Sequence, residues 1–428
     1  MTEPPQNATN GPGPARFGRR QVIAGAGAAV GVVAGAAAGF GVGRAVADDG
    51  TSGDIVDLGN SYDFYTGTHQ AGVQTLPQRH CVYMTFDLVP GVTTQKFQQL
   101  LATWSAGIAQ LMAGLPVGSV QPTSPSSPPQ DTGEAYDLGP SSLTVTLGLG
   151  PGVFDERLGL QAKRPALLKD LPHLPSDALD PGTTGGDLSL QACADDPQVA
   201  YHAIRDLAKL GRTVGAVTTR WTVMGFGRAS SGKGQTTPRN LLGFKDGTRN
   251  LKEPSEFDDF VWVNDDDQPW MNGGTYQIAR KIKMNIEIWD SDAIGDQEKI
   301  FGRSKGEGAP LTGKAEFDSP DFAATSGGAP VINPKAHIAL AAHENNGGIK
   351  ILRRSYNFTD GINVELGQLD AGLLFMCYVN DPANFVTLQT KLGSSDLLNE
   401  YISHVGSAIF AIPPAPQKGH YIGEQLFA

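Results

Sequence analysis

Apolar positions along the chain fall into alternating strand-like and helix-like stretches. From Cys81 to Leu88 the run Cys-Val-Tyr-Met-Thr-Phe-Asp-Leu is rich in β-branched and aromatic residues and predicts a strand. A Pro-Gly turn follows. Then Phe97, Leu100, Leu101, Trp104, Ile108 and Leu111 recur at helical spacing between Thr94 and Ala113, which predicts an amphipathic helix. The same order returns about 290 residues later. Leu373 to Val379 is a second apolar run, and Asn380-Asp381-Pro382 suits a helix start. Phe385, Leu388 and Leu392 then keep a helical period. A third unit lies between them, with Asp187 to Cys193 as strand, Pro197 to Leu210 as helix and Val214 to Met224 as strand. Strands alternating with helices, with few tight hairpin signals, predict an α+β sandwich in each half, and the ferredoxin-like β-α-β-β-α-β order is the natural candidate. Sequence similarity between the halves is too weak to establish a duplication.

The 428 residues suffice for two domains or one large duplicated one. Hydrophobic residues make up 40% and charged residues 18%, an ordinary globular composition. Residues 115–141 are rich in Pro and Ser and predict a surface loop, while 303–335 predict a long irregular segment of the kind that often serves function. The formal charge of -11 comes with no basic stripe, which argues against a nucleic-acid partner, because a phosphate backbone must be met by Lys and Arg. Three cysteines (Cys81, Cys193 and Cys377) support neither a disulfide framework nor a zinc site, and each lies in or beside an apolar run as a small buried residue would.

The first 47 residues read as an address. Arg19-Arg20 precede an uncharged run from Val22 to Gly43, mostly Gly, Ala and Val, and the run ends near Ala45-Val46-Ala47, a small-x-small cleavage pattern. These features resemble a twin-arginine export signal. The run is long enough to span a membrane, but its glycines and alanines make it a poor anchor. The resulting expectation is a signal peptide at 1–47, cleavage before Asp48, and an extracellular, cell-envelope or periplasmic product that meets the membrane only through that signal. The remainder divides into an N-terminal half, 48–235, and a C-terminal half, 236–428.

Eight histidines are present, and none forms an HExxH or other zinc pair at ligand spacing. No nucleophile elbow, Walker loop or dinucleotide-binding glycine turn occurs either. Asn240 to Asn250 contains Gly243-Phe244-Lys245-Asp246-Gly247-Thr248-Arg249. By itself Asp-Gly is an ordinary turn.

Context changes its meaning. Downstream stand Ile300-Phe301-Gly302-Arg303, then Lys335-Ala336-His337-Ile338-Ala339-Leu340, Ile351-Leu352-Arg353-Arg354-Ser355-Tyr356 and Leu373-Leu374-Phe375. Asp396-Leu397-Leu398-Asn399 and Gly406 to Phe410 complete the series. In this order the blocks resemble the dye-decolourising haem peroxidases, in particular an exported subgroup that is deferrochelatase-like, from about Asp54 to the end. The resemblance implies two ferredoxin-like halves in a dimeric α+β barrel type of fold, antiparallel sheets with peripheral helices, and haem b, one per chain, in the C-terminal half.

It also implies a set of roles. His337 is the axial iron ligand and Asp396 the carboxylate that accepts the ring's other N–H. Asp246 is the acid that moves a proton during peroxide cleavage, and Arg353 stabilises the developing charge. Arg354 adjoins Arg353 and is its rival. Arg303 and Arg249 are candidates to pair with the haem propionates. Phe375 is the aromatic that keeps the pocket dry. The chain departs from the family after His337. Members commonly carry Arg two residues on and an Asn-Pro-Arg run soon after, where this chain has Ala339 and Ala342-His343-Glu344-Asn345. His343 is therefore a rival ligand. The five tryptophans and ten tyrosines include potential electron relays, although most read as core residues.

The implied activity is reduction of hydrogen peroxide with oxidation of organic donors such as dyes and phenols, with room for a homo-oligomer. Two further functions fit the same blocks: a haem- and iron-handling protein that releases iron from haem, and a non-catalytic exported haem-binding protein.

Overall fold

The first predicted unit forms as its periodicity requires. Strand β1 (His80–Leu88) leads into helix α1 (Thr94–Met112), which buries the apolar stripe from Phe97 to Leu111. The Thr93 side chain caps it, accepting from the backbone N of Lys96 at 3.2 Å. The computed structural model describes residues 57–227, 237–264 and 268–428. The predicted export signal lies outside the described residues.

Three more elements and a helix complete the N-terminal half: β2 (Thr144–Leu149), β3 (Leu188–Ala194), α2 (Pro197–Val214) and β4 (Val217–Phe226). The sequence expectation started the last strand at Val214. That residue instead ends α2, because Gly215 adopts φ +72 and closes the helix with its N–H on Arg212 and Gly211 carbonyls. The C-terminal half contains α3 (Pro254–Phe260), β5 (Thr275–Met284), α4 (Ile286–Ser291), α5 (Ile294–Phe301) and α6 (His337–Ala341). Strands β6 (Tyr356–Asn363) and β7 (Gln368–Val379) follow, then α7 (Pro382–Ser395) and β8 (Ile402–Ile412).

The strands run β2-β3-β1-β4 in the first half and β8-β5-β7-β6 in the second. Both are the ferredoxin-like order, and every pairing among them is antiparallel. Two thin seams join the halves, Leu149 opposite Ala411 and Gly225–Phe226 opposite Asn357–Phe358. The result is a closed eight-stranded barrel with no long free edge.

Alternation along the strands sorts side chains between inside and outside. Tyr83, Trp221, Val223, Leu374, Met376, Tyr378 and Phe410 fill the barrel. Gln191, Gln277 and Tyr378 hydrogen-bond to one another there, with Tyr378 Oη 2.6 Å from Gln191 Oε1. The outer face of the first half is sealed by α1 and α2. The outer face of the second half is not sealed. Arg280, Ile282 and Met284 of β5, and Leu373 and Phe375 of β7, look onto a cavity under α6 and α7.

All three cysteines are buried, as are all five tryptophans. Among the described residues no helix is long and apolar enough to cross a membrane.

Candidate active site

The cavity has a volume of about 250 Å³ and a mostly apolar wall. Seven of the residues singled out in the sequence line it: Asp246, Arg249, Arg303, His337, Arg353, Phe375 and Asp396. His343 lines it too. Arg354 does not. It is 2% exposed and donates to Thr75 O and Gln78 Oε1, so adjacent arginines on an extended segment point to opposite sides.

His337 opens α6, and Ala336 and Ala339 anchor that short helix in a small cluster with Ile332. Its Nδ1 donates to Asp396 Oδ2 at 2.6 Å. Asp396 sits at the junction of α7 and a following 3₁₀ turn, where its Oδ1 caps the backbone N of Leu398 at 2.9 Å. One oxygen is thus held by the backbone and the other aims the imidazole. Burial opposes a charge on His337, but the Asp396 carboxylate outweighs it and raises the ring above its ordinary value. In the neutral ring the proton belongs on Nδ1, next to Asp396, and Nε2 presents a lone pair. About a third of the side chain is exposed, and that surface faces the cavity.

Asp246 stands in the 237–250 loop. Its N–H donates to Pro238 O at 2.8 Å, and Gly247 beside it has φ +127, a conformation that a side chain would strain. Arg353 Nη1 donates to Asp246 Oδ1 at 2.7 Å. Asn250 fixes the backbone of Arg353 from both directions, donating to its carbonyl at 2.7 Å and accepting its N–H at 2.8 Å. Glu316 ties down the same loop. It accepts from Thr237 at 2.5 Å and Thr248 at 2.9 Å and pairs with Lys245. Nothing local in the sequence marked Glu316. Asn250 lay in the recognised segment without an assigned task.

The arginines divide by their partners. Arg249 makes a two-pronged ion pair with Glu344 at 2.6 and 3.0 Å, in the stretch that departs from the resemblance. Arg303 is 6% exposed and gives its Nη1 to the carbonyls of Gly308 and Glu316 at 2.6 and 3.0 Å. No ion pair to Arg303 occurs among the described residues. Burial and the neighbouring Arg249 and Arg353 lower its guanidinium against the pull of Glu316. A guanidinium stays charged, so this wall has cation in excess and suits an anionic group.

Deeper in, Arg280 forms a buried pair with Asp177. Burial, with Arg280 beside it, brings the His404 imidazole down to about 4 against the pull of Asp177. His404 lines the cavity as a neutral ring. His343 is less well held than His337, because its Nδ1 lies 3.3 Å from the half-exposed Glu344 carboxylate. The donor set therefore suits a haem. One buttressed imidazole can bind iron, the apolar wall can take a porphyrin face, and Arg303 can take a propionate.

Comparison with known proteins agrees. The profile described as Dyp-type peroxidase, N-terminal, matches residues 70–227, and that described as Dyp-type peroxidase, C-terminal, matches 237–417. A deferrochelatase of Yersinia pestis is 37% identical over 424 residues, covering 95% of this chain and 94% of its own. A deferrochelatase of Escherichia coli is 36% identical over 387 residues, 86% of this chain and 88% of its own. Among solved structures, an oxyferrous complex of DtpA from Streptomyces lividans has a TM-score of 0.81 at 37% identity, covering 87% of this chain and 100% of that one. A DyP-type peroxidase from Cellulomonas bogoriensis has a TM-score of 0.77 at 36% identity, covering 86% and 98%. Matched in both halves and along most of its length, the chain belongs to the Dyp-type peroxidase family, haem enzymes that reduce peroxide at the expense of an organic donor.

Proposed function

We propose that this protein is an exported peroxidase in which His337 holds haem b, one per chain, and Asp246 and Arg353 handle the peroxide. The observation that carries this reading is the convergence of two buttressed pairs, His337–Asp396 and Asp246–Arg353, on one cavity. Bound haem would supply the redox chemistry that couples two-electron reduction of peroxide to one-electron oxidation of a donor. Asp396 holds the proton on His337 Nδ1 and so keeps Nε2 free to bind. Asp246 takes a proton from peroxide and returns it to the departing oxygen, directly or through a water. Arg353 donates hydrogen bonds to the oxygen that gains negative charge. Arg303 and Arg249 pair with the propionates, Arg249 by sharing itself with Glu344. Phe375 excludes water beside the reacting atoms. Dyes and phenols are the proposed donors, since oxidation of an aromatic ring by one electron is the reaction this chemistry serves.

A second reading, release of iron from haem, is favoured by the name deferrochelatase carried by relatives at 36–37% identity. One experiment separates the two: incubation of the haem-loaded protein with peroxide and an anthraquinone dye, with dye loss and porphyrin fluorescence followed together. Dye loss without fluorescence supports the peroxidase. Metal-free porphyrin without dye loss overturns it.

The division that goes with this reading puts an export signal at 1–47, an N-terminal half at 48–235 and a haem-bearing half at 236–428. Arg19-Arg20 with Ala45-Val46-Ala47 supports export by the twin-arginine route. Replacing both arginines by Lys is expected to stop export in the native host. Undiminished export of that double variant would remove this part of the proposal.

A further inference from the structure

A second cluster of ligand-type side chains lies in the other half of the molecule. His202 and Asp206 stand four residues apart on one face of α2, and Asp131 reaches them from the Pro/Ser-rich loop. His202 Nε2 is 3.5 Å from Asp131 Oδ2 and 3.5 Å from Asp206 Oδ2. All three residues are buried, and both aspartates are 0% exposed.

We propose that Asp131, His202 and Asp206 bind a divalent metal ion of the zinc class, which fastens the 115–141 loop to α2.

Four observations lead to this. The first is an oxygen without a hydrogen bond. Asp206 Oδ1 accepts from the backbone N of Thr132 at 3.0 Å, but Oδ2 is fully buried, has no hydrogen-bond partner among the described residues and points into the cluster. Burying such an oxygen bare is costly unless a cation meets it.

The second is spacing. A charge-assisted hydrogen bond between an imidazolium and a carboxylate closes to about 2.7–2.9 Å. Both distances here are 3.5 Å, too long for that bond. A tetrahedral ion with bonds of about 2.1 Å holds its ligand atoms about 3.4 Å apart.

The third is the far side of the histidine. His202 Nδ1 lies 3.3 Å from Glu134 Oε2 and 3.4 Å from Thr132 Oγ1. The Thr132 hydroxyl, with the Glu134 carboxylate nearby, can take the Nδ1 proton and so leave Nε2 as the donor atom, the way a partner on the other ring nitrogen orients metal-binding histidines.

The fourth is space. A cavity of about 20 Å³ borders Asp131 and His202, room for one water as a fourth ligand.

The rest of the network fits a structural site. Asp131 also accepts from the backbone N of Val117 at 2.9 Å and of Gly133 at 2.7 Å, so one carboxylate gathers two points of the loop. An ion bridging it to α2 would pin a segment whose surface is otherwise mostly exposed. One imidazole with two carboxylates favours Zn²⁺ over Ca²⁺, which prefers six or more oxygens.

The test uses the haem-loaded protein stripped with a chelator and titrated calorimetrically with Zn²⁺ and, separately, Ca²⁺. About one Zn²⁺ per chain is expected, with a rise in Tm of about 3 °C at a hundred-fold excess over Kd. Asp206→Asn and His202→Gln should each weaken binding by more than about 100-fold, beyond the loss typical of an outer partner, while peroxidase activity stays unchanged. X-ray absorption at the zinc edge of the wild type does not depend on either variant folding. It should report one imidazole and oxygen neighbours at about 2.0–2.2 Å. Absence of Zn²⁺ binding, a sulfur-containing shell, or full binding retained in both variants would each overturn the proposal.

Discussion

His337→Ala will abolish stoichiometric haem incorporation, while His343→Ala will leave it nearly intact. His337 Nε2 faces the cavity, and its Nδ1 is held at 2.6 Å by a carboxylate that is itself fixed by a backbone N–H. His343 leans on a half-exposed glutamate that is already engaged with Arg249. Loss of the imidazole takes away the one ligand on this wall whose orientation is set from behind. Asp396→Asn keeps the hydrogen bond's shape but not its charge, and haem affinity should fall by about 10–100-fold, the usual cost of an outer partner. Soret absorbance per chain, measured after reconstitution and gel filtration, checks all three variants. An unchanged Soret band in His337→Ala together with haem loss in His343→Ala would transfer the ligand to His343.

Asp246→Asn and Arg353→Leu will both slow peroxide consumption greatly, and each loss will be partly recovered by the conservative replacement. A positioned general base contributes about 10²–10⁴-fold, and a buried donor aimed at developing charge about 10²–10³-fold. Magnitude therefore does not rank the two residues. Chemistry does. A carboxylate can take up a proton and give it back, and a carboxamide cannot, so Asp246→Asn removes the carrier while Asp246→Glu keeps one. Arg353→Lys keeps a cation where Arg353→Leu does not, although without the planar fork of donors. Asp246→Glu should therefore recover part of the rate lost in Asp246→Asn, and Arg353→Lys part of that lost in Arg353→Leu. The initial rate of peroxide consumption by the haem-loaded proteins checks each pair. If Asp246→Asn keeps the wild-type rate, Asp246 is not the proton carrier.

The periodic elements were legible because one residue type dominates each face. The stripe of α1 and the apolar runs of β1, β3 and β7 are buried where hydrophobicity puts them. Strand β5 was not legible. Its sequence, Thr-Tyr-Gln-Ile-Ala-Arg-Lys-Ile-Lys-Met, carries three cations that a local pattern sends to solvent. Each finds a carboxylate from a distant segment: Arg280 with Asp177, Lys281 with Asp360 and Lys283 with Asp370. The shared strand order of the two halves was equally hidden. Two halves with little shared sequence adopt the same strand order, because topology depends on where apolar faces fall rather than on which apolar residues supply them.

In the site, the resemblance carried by the order of the blocks brought Asp246, His337, Arg353 and Asp396 forward as candidates, and the fold gathers all four around one cavity. What sequence could not supply was direction. Arg353 and Arg354 are chemically alike and adjacent, and only the pairing of Leu352–Arg353 with Cys377–Tyr378 turns the first to the cavity and the second to the barrel interior. Glu316 had no local mark, because its worth lies in three partners about 70 residues or more upstream. The same holds for the cluster at His202. Its helical pair is short of one ligand, and Asp131 stands 71 residues away, so no spacing along the chain could reveal it. By itself the sequence determined the periodic elements, the family and the chemical types of the site residues, all of which depend on side-chain identity and local spacing. Tertiary structure alone decided barrel closure, the facing of each arginine and the gathering of buried charges, because those depend on contacts between segments far apart in the chain.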